Sequence, residues 1–285
     1  MSKVGIITDS IASLPPEMVK QYDIKVIPIV MSINGQRYRD QVDISLEEFW
    51  KRFDDIIEYT TSAPSLSEFI EIFKEATRES HEAACCLVSK GLSATYESAV
   101  QARDAFVAEN PGVKIEIVDS RTAAGAEAFV AIEMAKAAAA GKSLAEVVQA
   151  GKDIIPKVGY LTTLETLKYV IRSGRAPKTA YMGELFQVKP IIGQVHDTGM
   201  VENMGRARGK EKSWEKIAEL MGEFIDTGKP VRINVHYTNS KEDGERLKNM
   251  ITSKYNCSEV LFTPYSPLIS GHTGPLVAVS FCPLK

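Results

Sequence analysis

The sequence predicts an α/β protein of two domains. Its 285 residues exceed the usual size of one domain. The first half alternates short apolar runs with helical stretches, which is typical of a parallel sheet covered by helices. The second half mixes helices with an antiparallel hairpin. We therefore expect an N-terminal α/β/α domain over residues 1–156 and a C-terminal α/β domain with a mixed sheet over residues 157–285, with the boundary near Pro156.

The N-terminal elements begin with a strand over residues 3–8. Two prolines open the next helix, and Ser13 is the candidate cap for it. An apolar run over residues 24–33 then leads to Asn34-Gly35, the strongest short signal for a β-hairpin. These features predict a strand, a helix and a hairpin in that order.

Helix starts in this half carry their own signatures. Ser45 with Glu48, and Ser65 with Glu68, have the spacing of capping boxes. Two further apolar runs precede long helical patterns, and an alanine-rich helix breaks at Gly141. The remaining expected elements of the first half are strands over residues 83–89 and 114–119 and helices over residues 123–140 and from 143 onward.

The C-terminal half is predicted to contain a hairpin turning at Gly199 between residues 188–195 and 200–204. A strand over residues 157–163 and a helix that ends near Arg172 precede it. The elements expected after it are helices over 213–226 and 240–255 and strands over 231–238 and 275–282.

Composition excludes several classes of function. Lys and Arg (34) nearly balance Asp and Glu (37), so the net charge of −3 does not favour nucleic-acid binding. No signal sequence is apparent, and charged residues interrupt the long apolar segment over 123–140, so no stable membrane insertion is expected. The four cysteines include no CxxC pair, which favours reduced, buried thiols and no metal site. We expect a cytoplasmic protein.

Four turns rich in hydroxyl groups follow strands or lie between elements. They span residues 8–10, 60–65, 90–96 and 119–125. In an open parallel sheet, ligands bind beyond the carboxyl ends of the strands. If the four turns converge there, their hydroxyl and helix N-terminal donors would suit an anion such as a carboxylate. No GxxxxGK[ST] or GxGxxG motif supports a nucleotide site.

Ser93 permits three interpretations. It can cap a helix, anchor an acidic ligand together with Thr61, or act as a nucleophile in an esterase or acyl hydrolase. In the last case His272, in a glycine-flanked loop, would be the base and Asp119 the orienting acid. The segment GLSAT lacks the second glycine of GxSxG, and no HGGG-like segment is present. A structural module without a ligand is a further alternative.

Taken together, the motifs resemble those of the DegV family of bacterial fatty-acid-binding proteins. The resemblance spans essentially the whole chain, and the order of its pieces makes it specific. The pieces are VGIITDSIASLP, TTSAPS, VSKGLSATYESA, IVDSRTAAGA, LTTLETLKYVIRSGRAP, KPIIGQVHDTGMVE and GHTGPLVAV.

The resemblance implies a long-chain fatty acid, such as palmitate, stearate or oleate, buried between two domains. By analogy the carboxylate is held by Ser93 and Thr61, with Ser62 in the same turn and His272 near the head group. No cofactor is implied. The protein would be a carrier and no free-standing enzyme: a separate fatty acid kinase catalytic subunit would use ATP to convert the carboxylate to an acyl phosphate.

Two departures from the family pattern bear on ligand and partner. The family commonly reads TSQPS where this chain has Ala63, and GGR where it has Ser173-Gly174-Arg175. The resemblance also suggests that Arg172 and Arg206 face the kinase or the transferring phosphate. A solvated helix start is the alternative for the basic run over residues 206–212.

Overall fold

The computed structural model describes residues 4–174, 188–194 and 198–284. It confirms an α/β fold with a parallel sheet in the N-terminal region and a mixed sheet in the C-terminal region. The N-terminal parallel sheet has four strands in the order β2-β1-β6-β7. Its strands are β1 (Gly5–Asp9), β2 (Ile24–Ile27), β6 (Glu82–Leu87) and β7 (Lys114–Asp119).

A small antiparallel sheet in the order β4-β3-β5 lies beside it. The predicted hairpin is confirmed, with Asn34 and Gly35 both at positive φ (50° and 82°), as a type I′ turn requires. The apolar run before the hairpin forms two strands in different sheets, divided at Pro28, because proline cannot donate a ladder hydrogen bond. This sheet comprises β3 (Val30–Ile33), β4 (Gln36–Arg39) and β5 (Tyr59–Ser62).

The N-terminal helices start largely where the sequence predicts. The capping boxes at Ser45 and Ser65 are confirmed, and Ser143 forms a third. The expected cap at Ser13 is wrong: Pro15 is the N-cap, and the Ser13 hydroxyl donates to the carbonyl of Ile11 instead. The helices are α1 (Pro16–Tyr22), α2 (Leu46–Lys51), α3 (Leu66–Thr77), α4 (Thr95–Glu109), α5 (Ala124–Ala139) and α6 (Leu144–Ile154).

The C-terminal sheet has six strands in the order β10-β9-β8-β13-β11-β12, and only β11 and β12 run parallel. The predicted hairpin pairs β9 with β10 across Gly199. The strands are β8 (Gly159–Leu164), β9 (Val188–Gln194), β10 (Val201–Arg208), β11 (Val231–Tyr237), β12 (Cys257–Pro264) and β13 (Leu276–Pro283).

The helices of this region are α7 (Lys168–Arg172), α8 (Lys210–Phe224), α9 (Lys241–Lys254) and α10 (Pro267–Thr273). Helix α8 begins three residues before the predicted Ser213, because Gly209 at φ 88° ends β10 directly before it. The expected solvated helix start at residues 206–212 is therefore wrong in part, since residues 206–208 complete β10. Strand β12 and helix α10 were not predicted.

Helix α5 occupies the centre of the molecule and packs between the parallel and the mixed sheet. Twelve of its 16 residues are buried, and one apolar core joins its alanines to residues from both sheets. A methyl group added at Gly125 would lie 2.6 Å from Nε2 of His236 on β11. The alanine-rich composition thus permits a close approach of both sheets to the helix. The division into domains at Pro156 stays a prediction.

The cysteines are free thiols. Cys85, Cys86 and Cys282 are buried, whereas Cys257 is only half-buried, because it opens β12 at the edge of the mixed sheet. Burial raises the pKa of the Cys85 and Cys86 thiols well above its usual value. Within the described ranges, no helix has the length and apolar character to cross a membrane.

Candidate functional site

A mostly apolar cavity of about 250 Å³ lies between the parallel-sheet region and the mixed sheet. Four predicted site residues, from three distant segments, line it: Thr61, Ser62, Ser93 and His272. Much of the remaining lining is aliphatic. These apolar residues include Ile11, Ile29, Val88, Leu92, Val170, Ile192, Val201, Leu268 and Ile269.

Ser93 lies in the turn between β6 and α4. Its amide donates to the carbonyl of Ser89, and its hydroxyl oxygen lies 2.8 Å from Oγ1 of Thr95 and accepts from the Thr95 amide at 3.3 Å. Ala94 is the N-cap residue of α4 and makes no side-chain cap bond. Ser93 therefore supports the first turn of the helix and lines the cavity at the same time.

Thr61 and Ser62 are the last two residues of β5. Thr61 pairs with Met31 in the small sheet, and its Oγ1 lies 3.3 Å from Nε2 of His272. Thr61 is half-buried and Ser62 is exposed. The strand thus delivers two adjacent hydroxyl groups to the cavity, one of them in contact with the imidazole.

His272 is held in the last turn of α10 by an aromatic contact. The ring of Tyr59 meets the imidazole edge-on, with centroids 5.3 Å apart, and its hydroxyl donates to the carbonyl of Leu268 at 2.7 Å. A methyl group at Gly271 would lie 2.1 Å from that ring, so glycine is required for this approach. Helix α10 is therefore docked on β5 by Tyr59.

The start of α10 is held by a buried carboxylate. Oδ1 of Asp40 accepts from the Leu268 amide at 3.1 Å. Burial raises the pKa of Asp40 to about 6, although several hydrogen bonds to the carboxylate oppose the rise. This contact ties β4 to the helix that carries His272.

Only two of the four hydroxyl-rich turns bring hydroxyl groups into the cavity. In the first turn, Asp9 accepts from the amides of Ile11 and Val88, and Ser10 accepts from the Ile29 amide. Burial raises the pKa of Asp9 to about 7. The expectation that all four turns form one row of donors is wrong, because these short polar side chains satisfy nearby backbone groups.

The fourth turn contributes methyl groups. Ser120 bonds within its own turn, to the carbonyl of Thr122, while Ala123 and Ala124 line the cavity. Ala124 has φ 57°, a left-handed conformation that costs free energy in a residue with a Cβ. The strained start of α5 therefore forms part of the apolar wall.

Among the described residues, the hydrogen bonds do not form the relay that a serine hydrolase needs. The Ser93 hydroxyl is paired with Thr95, and Nε2 of His272 is next to Thr61. Oδ1 of Asp119 accepts from the Arg121 amide in its own turn and from the Lys90 amide in the turn after β6. Ser93, Asp119 and His272 therefore follow one another in the chain order of a hydrolase triad, but these hydrogen bonds do not link them as nucleophile, acid and base.

The two arginines expected to face a partner lie outside the cavity lining. Both are exposed: Arg172 ends α7 with its guanidinium 5.4 Å from the Tyr169 ring centroid, and Arg206 is on β10 opposite Pro190. The two departures from the family pattern, Ala63 and Ser173, do line the cavity. Arg175 lies outside the described residues.

Three buried polar residues of the cavity wall were missed by the sequence analysis. They are Tyr160 on β8, Gln194 on β9 and Tyr265 before α10, and all are buried. For Tyr160 and Gln194 the only available signal was a polar residue inside an apolar strand, which also occurs in ordinary cores. Tyr265 lies in the turn between β12 and α10 and carried no such signal. In the part of the chain that the structure describes, no group of three His, Cys, Asp or Glu side chains is placed to hold a metal ion.

Known proteins share this sequence pattern and architecture. The family model for DegV matches residues 3–284. A DegV domain-containing protein of Lactococcus lactis is 31% identical over 272 residues, covering 94% of this chain and 93% of that protein.

Solved structures agree with the fold. A DegV family protein from Thermus thermophilus, described as binding fatty acid, is 25% identical and covers 99% of this chain and 100% of its own, with a TM-score of 0.89. A stearic-acid-binding protein from Eubacterium ventriosum is 22% identical and covers 98% of both chains, with a TM-score of 0.88. On the family match and these similarities, the chain belongs to the DegV family.

Proposed function

We propose that this protein binds a long-chain fatty acid in the cavity and presents its carboxylate to a separate kinase subunit. The observation that carries the proposal is the composition of the cavity. Aliphatic side chains form most of its surface, and Thr61, Ser62, Ser93 and His272 gather on it from distant parts of the chain. An apolar chamber with a few convergent polar groups suits an amphipathic ligand with one polar end.

The acyl tail supplies most of the affinity. Each buried methylene contributes about 0.8 kcal/mol, so the tail of palmitate, stearate or oleate outweighs the head-group contacts. Hydrogen bonds to a charged group contribute about 1.5–3 kcal/mol each. The head-group residues therefore serve mainly to set the position and direction of the ligand.

The carboxylate accepts hydrogen bonds from the hydroxyls of Ser93 and Thr61. His272, 3.3 Å from Thr61, adds a donor from the imidazole ring, and Ser62 lies at the exposed end of the same strand. The N-terminus of α4, which has no side-chain cap, begins beside Ser93 and favours negative charge there. Charge-assisted bonds of this kind hold an anion without a full counter-charge.

A separate kinase catalytic subunit, using ATP, converts the bound carboxylate to an acyl phosphate. The exposed arginines Arg172 and Arg206 contact that subunit or the transferring phosphate, since a guanidinium binds phosphate oxygens in a bidentate manner. In this proposal the chain is a cytoplasmic carrier, and the chemistry belongs to its partner.

Native mass spectrometry of freshly purified protein, followed by extraction and identification of lipid, tests the binding step. We expect about one fatty acid per chain in wild type, less in Ser93→Ala, and the wild-type amount in Ser98→Ala, a control on α4 outside the cavity lining. Absence of lipid, with turnover of p-nitrophenyl esters abolished by Ser93→Ala, would make Ser93 a nucleophile and overturn the carrier proposal.

The transfer step is tested with lipid-loaded protein, ATP and an extract of the source bacterium. Hydroxylamine traps an acyl phosphate as a hydroxamate, which we expect to form with wild type. Arg172→Ala and Arg206→Ala should retain lipid and lower hydroxamate formation. If loaded wild type yields no hydroxamate, the kinase step is wrong while fatty acid binding stands.

A further inference from the structure

Three buried polar side chains, which we call the inner-wall cluster, interrupt the apolar surface of the cavity. The cluster consists of Tyr160, Gln194 and Tyr265, whose exposed fractions are 8%, 5% and 2%. Groups this far from solvent are costly unless a hydrogen-bond partner meets them. Their presence in a cavity that suits an acyl tail therefore requires an explanation.

Strand register brings the first two residues together. Leu161 on β8 pairs with Gly193 on β9, so in this antiparallel pair Tyr160 and Gln194 are the next opposed residues and share a face of the sheet. On the other side of β8, Ser280 is opposite Tyr160. A row of polar side chains thus crosses the sheet beneath the cavity.

Tyr265 completes the cluster from the turn before α10. Burial raises the pKa of Tyr160 to about 12, and the nearby Tyr265 hydroxyl opposes that rise, although the two hydroxyls do not meet with the distance and angle of a hydrogen bond. The Tyr265 ring stacks on His236 with centroids 4.4 Å apart and planes 4° from parallel. Nε2 of His236 accepts from the Gly125 amide and its Nδ1 lies 2.8 Å from Oγ1 of Thr263, so the ring beneath Tyr265 is fixed.

Two atoms of the cluster lack a partner. Nε2 of Gln194 donates to the Gly199 carbonyl at 2.9 Å, which leaves Oε1 as an acceptor. Among the described residues, neither Gln194 Oε1 nor Tyr265 Oη makes a hydrogen bond, and both are buried. The cavity wall therefore offers one carbonyl acceptor and one hydroxyl that can donate.

We propose that the inner-wall cluster binds a hydroxyl group on the acyl chain, so that the preferred ligand class is hydroxylated long-chain fatty acids. This inference rests on the proposed function. A ligand hydroxyl donates to Gln194 Oε1 and accepts from Tyr265 Oη, which satisfies both atoms at once. A keto group only accepts, and a plain alkyl chain leaves both atoms unpaired, so both bind less favourably.

The test compares the affinity of the delipidated protein for octadecanoic acid with that for a series of its monohydroxy isomers, substituted from carbon 8 to carbon 14. We expect at least one isomer to bind about tenfold more tightly than octadecanoic acid, the ratio that one satisfied buried pair gives. In Tyr265→Phe the ratio should fall to about one. Tyr237→Phe, on the same sheet but outside the cavity lining, should keep the wild-type ratio.

The two proposals fail in different ways. If wild type binds octadecanoic acid but every hydroxy isomer more weakly, ordered water satisfies the cluster and the inference is overturned while fatty acid binding stands. If neither acid binds, the proposed function itself fails. If Tyr265→Phe does not fold, Gln194→Met supplies the same comparison, and a hydroxyl preference that survives there also overturns the inference.

Discussion

The head-group residues and the inner-wall cluster face the same cavity and differ in how they are solvated. Thr61, Ser93 and His272 are half-buried; Oγ1 of Thr61 lies 3.3 Å from Nε2 of His272, and the Ser93 hydroxyl accepts from the Thr95 amide. Tyr160, Gln194 and Tyr265 are less than a tenth exposed, and two of their atoms lack partners. The head-group residues are thus polar groups that solvent reaches, whereas the inner-wall cluster consists of polar groups in the protein interior.

Because of this difference in solvation, we expect the head-group residues to affect ligand binding and the inner-wall cluster to affect the stability of the fold. Water satisfies a half-exposed hydroxyl when the ligand leaves, so the head-group residues cost the lipid-free protein little. An unpaired polar atom in the interior keeps its desolvation penalty. Substitutions at the head-group residues should therefore weaken binding without unfolding the protein, and substitutions around the inner-wall cluster should change the free energy of unfolding.

The largest effect is expected from the histidine beneath the inner-wall cluster. Burial lowers the pKa of His236 to about 3. Between pH 6.5 and 3 the unfolded chain binds a proton at this residue that the folded chain does not, so its contribution to stability falls by about 1.4 kcal/mol per pH unit as the pH falls. In His236→Gln the slope of unfolding free energy against pH should lose this contribution.

Urea unfolding at several pH values measures that slope. The exposed His81→Gln is the matched control and should keep the wild-type slope. Equal slopes in wild type and His236→Gln would show that the inner wall is more solvated than its burial indicates, and the contrast with the head-group region would disappear.

Next in size is Gly271→Ala, which tests how the head-group residues are positioned. The added methyl overlaps the Tyr59 ring, so it should displace α10 and His272, lower the free energy of unfolding by about 1–3 kcal/mol and reduce bound lipid. Thermal unfolding and lipid extraction measure both. Gly228→Ala, where the methyl meets only Asp226 Oδ1 at 3.5 Å, should leave both unchanged; equal behaviour of the two variants would contradict the docking role of Tyr59.

The carboxylate anchors are compared by a double-mutant cycle. Ser93→Ala and Thr61→Val should each weaken fatty acid binding about tenfold, because each removes one hydrogen bond to a charged group. Since both act on one carboxylate, the double variant should weaken binding by less than the product. Fully independent effects of the two substitutions on binding would show that the two hydroxyls do not bind the same carboxylate.

The smallest expected effect is a gain in stability, in contrast to the losses predicted above. Tyr265→Phe removes an unpartnered buried hydroxyl, so the lipid-free protein should gain up to about 1 kcal/mol in unfolding free energy. Tyr255→Phe removes a buried hydroxyl that donates to the Ala218 carbonyl, so the free energy of unfolding of this variant should fall by about 1 kcal/mol. Urea unfolding of both variants decides the matter, and a loss in Tyr265→Phe would mean that its hydroxyl is already paired.

Much of the N-terminal half could be predicted because its signals are local. The capping boxes at Ser45, Ser65 and Ser143 join residues three positions apart, and Asn34-Gly35 requires only two residues at positive φ. The predictions were wrong where the same local sequence permits two different hydrogen bonds. Ser13 formed a bond within its own turn instead of capping α1.

The candidate site was predicted in part for the same reason. Thr61 was expected in a turn and lies near the end of β5, Ser93 lies in the turn before α4, and the order of the family's motifs singled both out. Ser10 and Ser120 lie in similar turns, yet their hydroxyls bond to backbone groups near them. Which turn presents a hydroxyl to the cavity depends on where the neighbouring backbone amides and carbonyls lie.

The sequence by itself thus determined the α/β class, most of the helix starts, the hairpins and the membership in the DegV family. Only the tertiary structure decided that Thr61 meets His272, 211 residues away, and that Tyr160, Gln194 and Tyr265 share one wall. The physical reason is the separation along the chain between the residues that interact. Hydrogen bonds across a few residues follow from neighbouring side chains, whereas the inner-wall cluster exists only because β8, β9 and the turn before α10 pack together around a cavity.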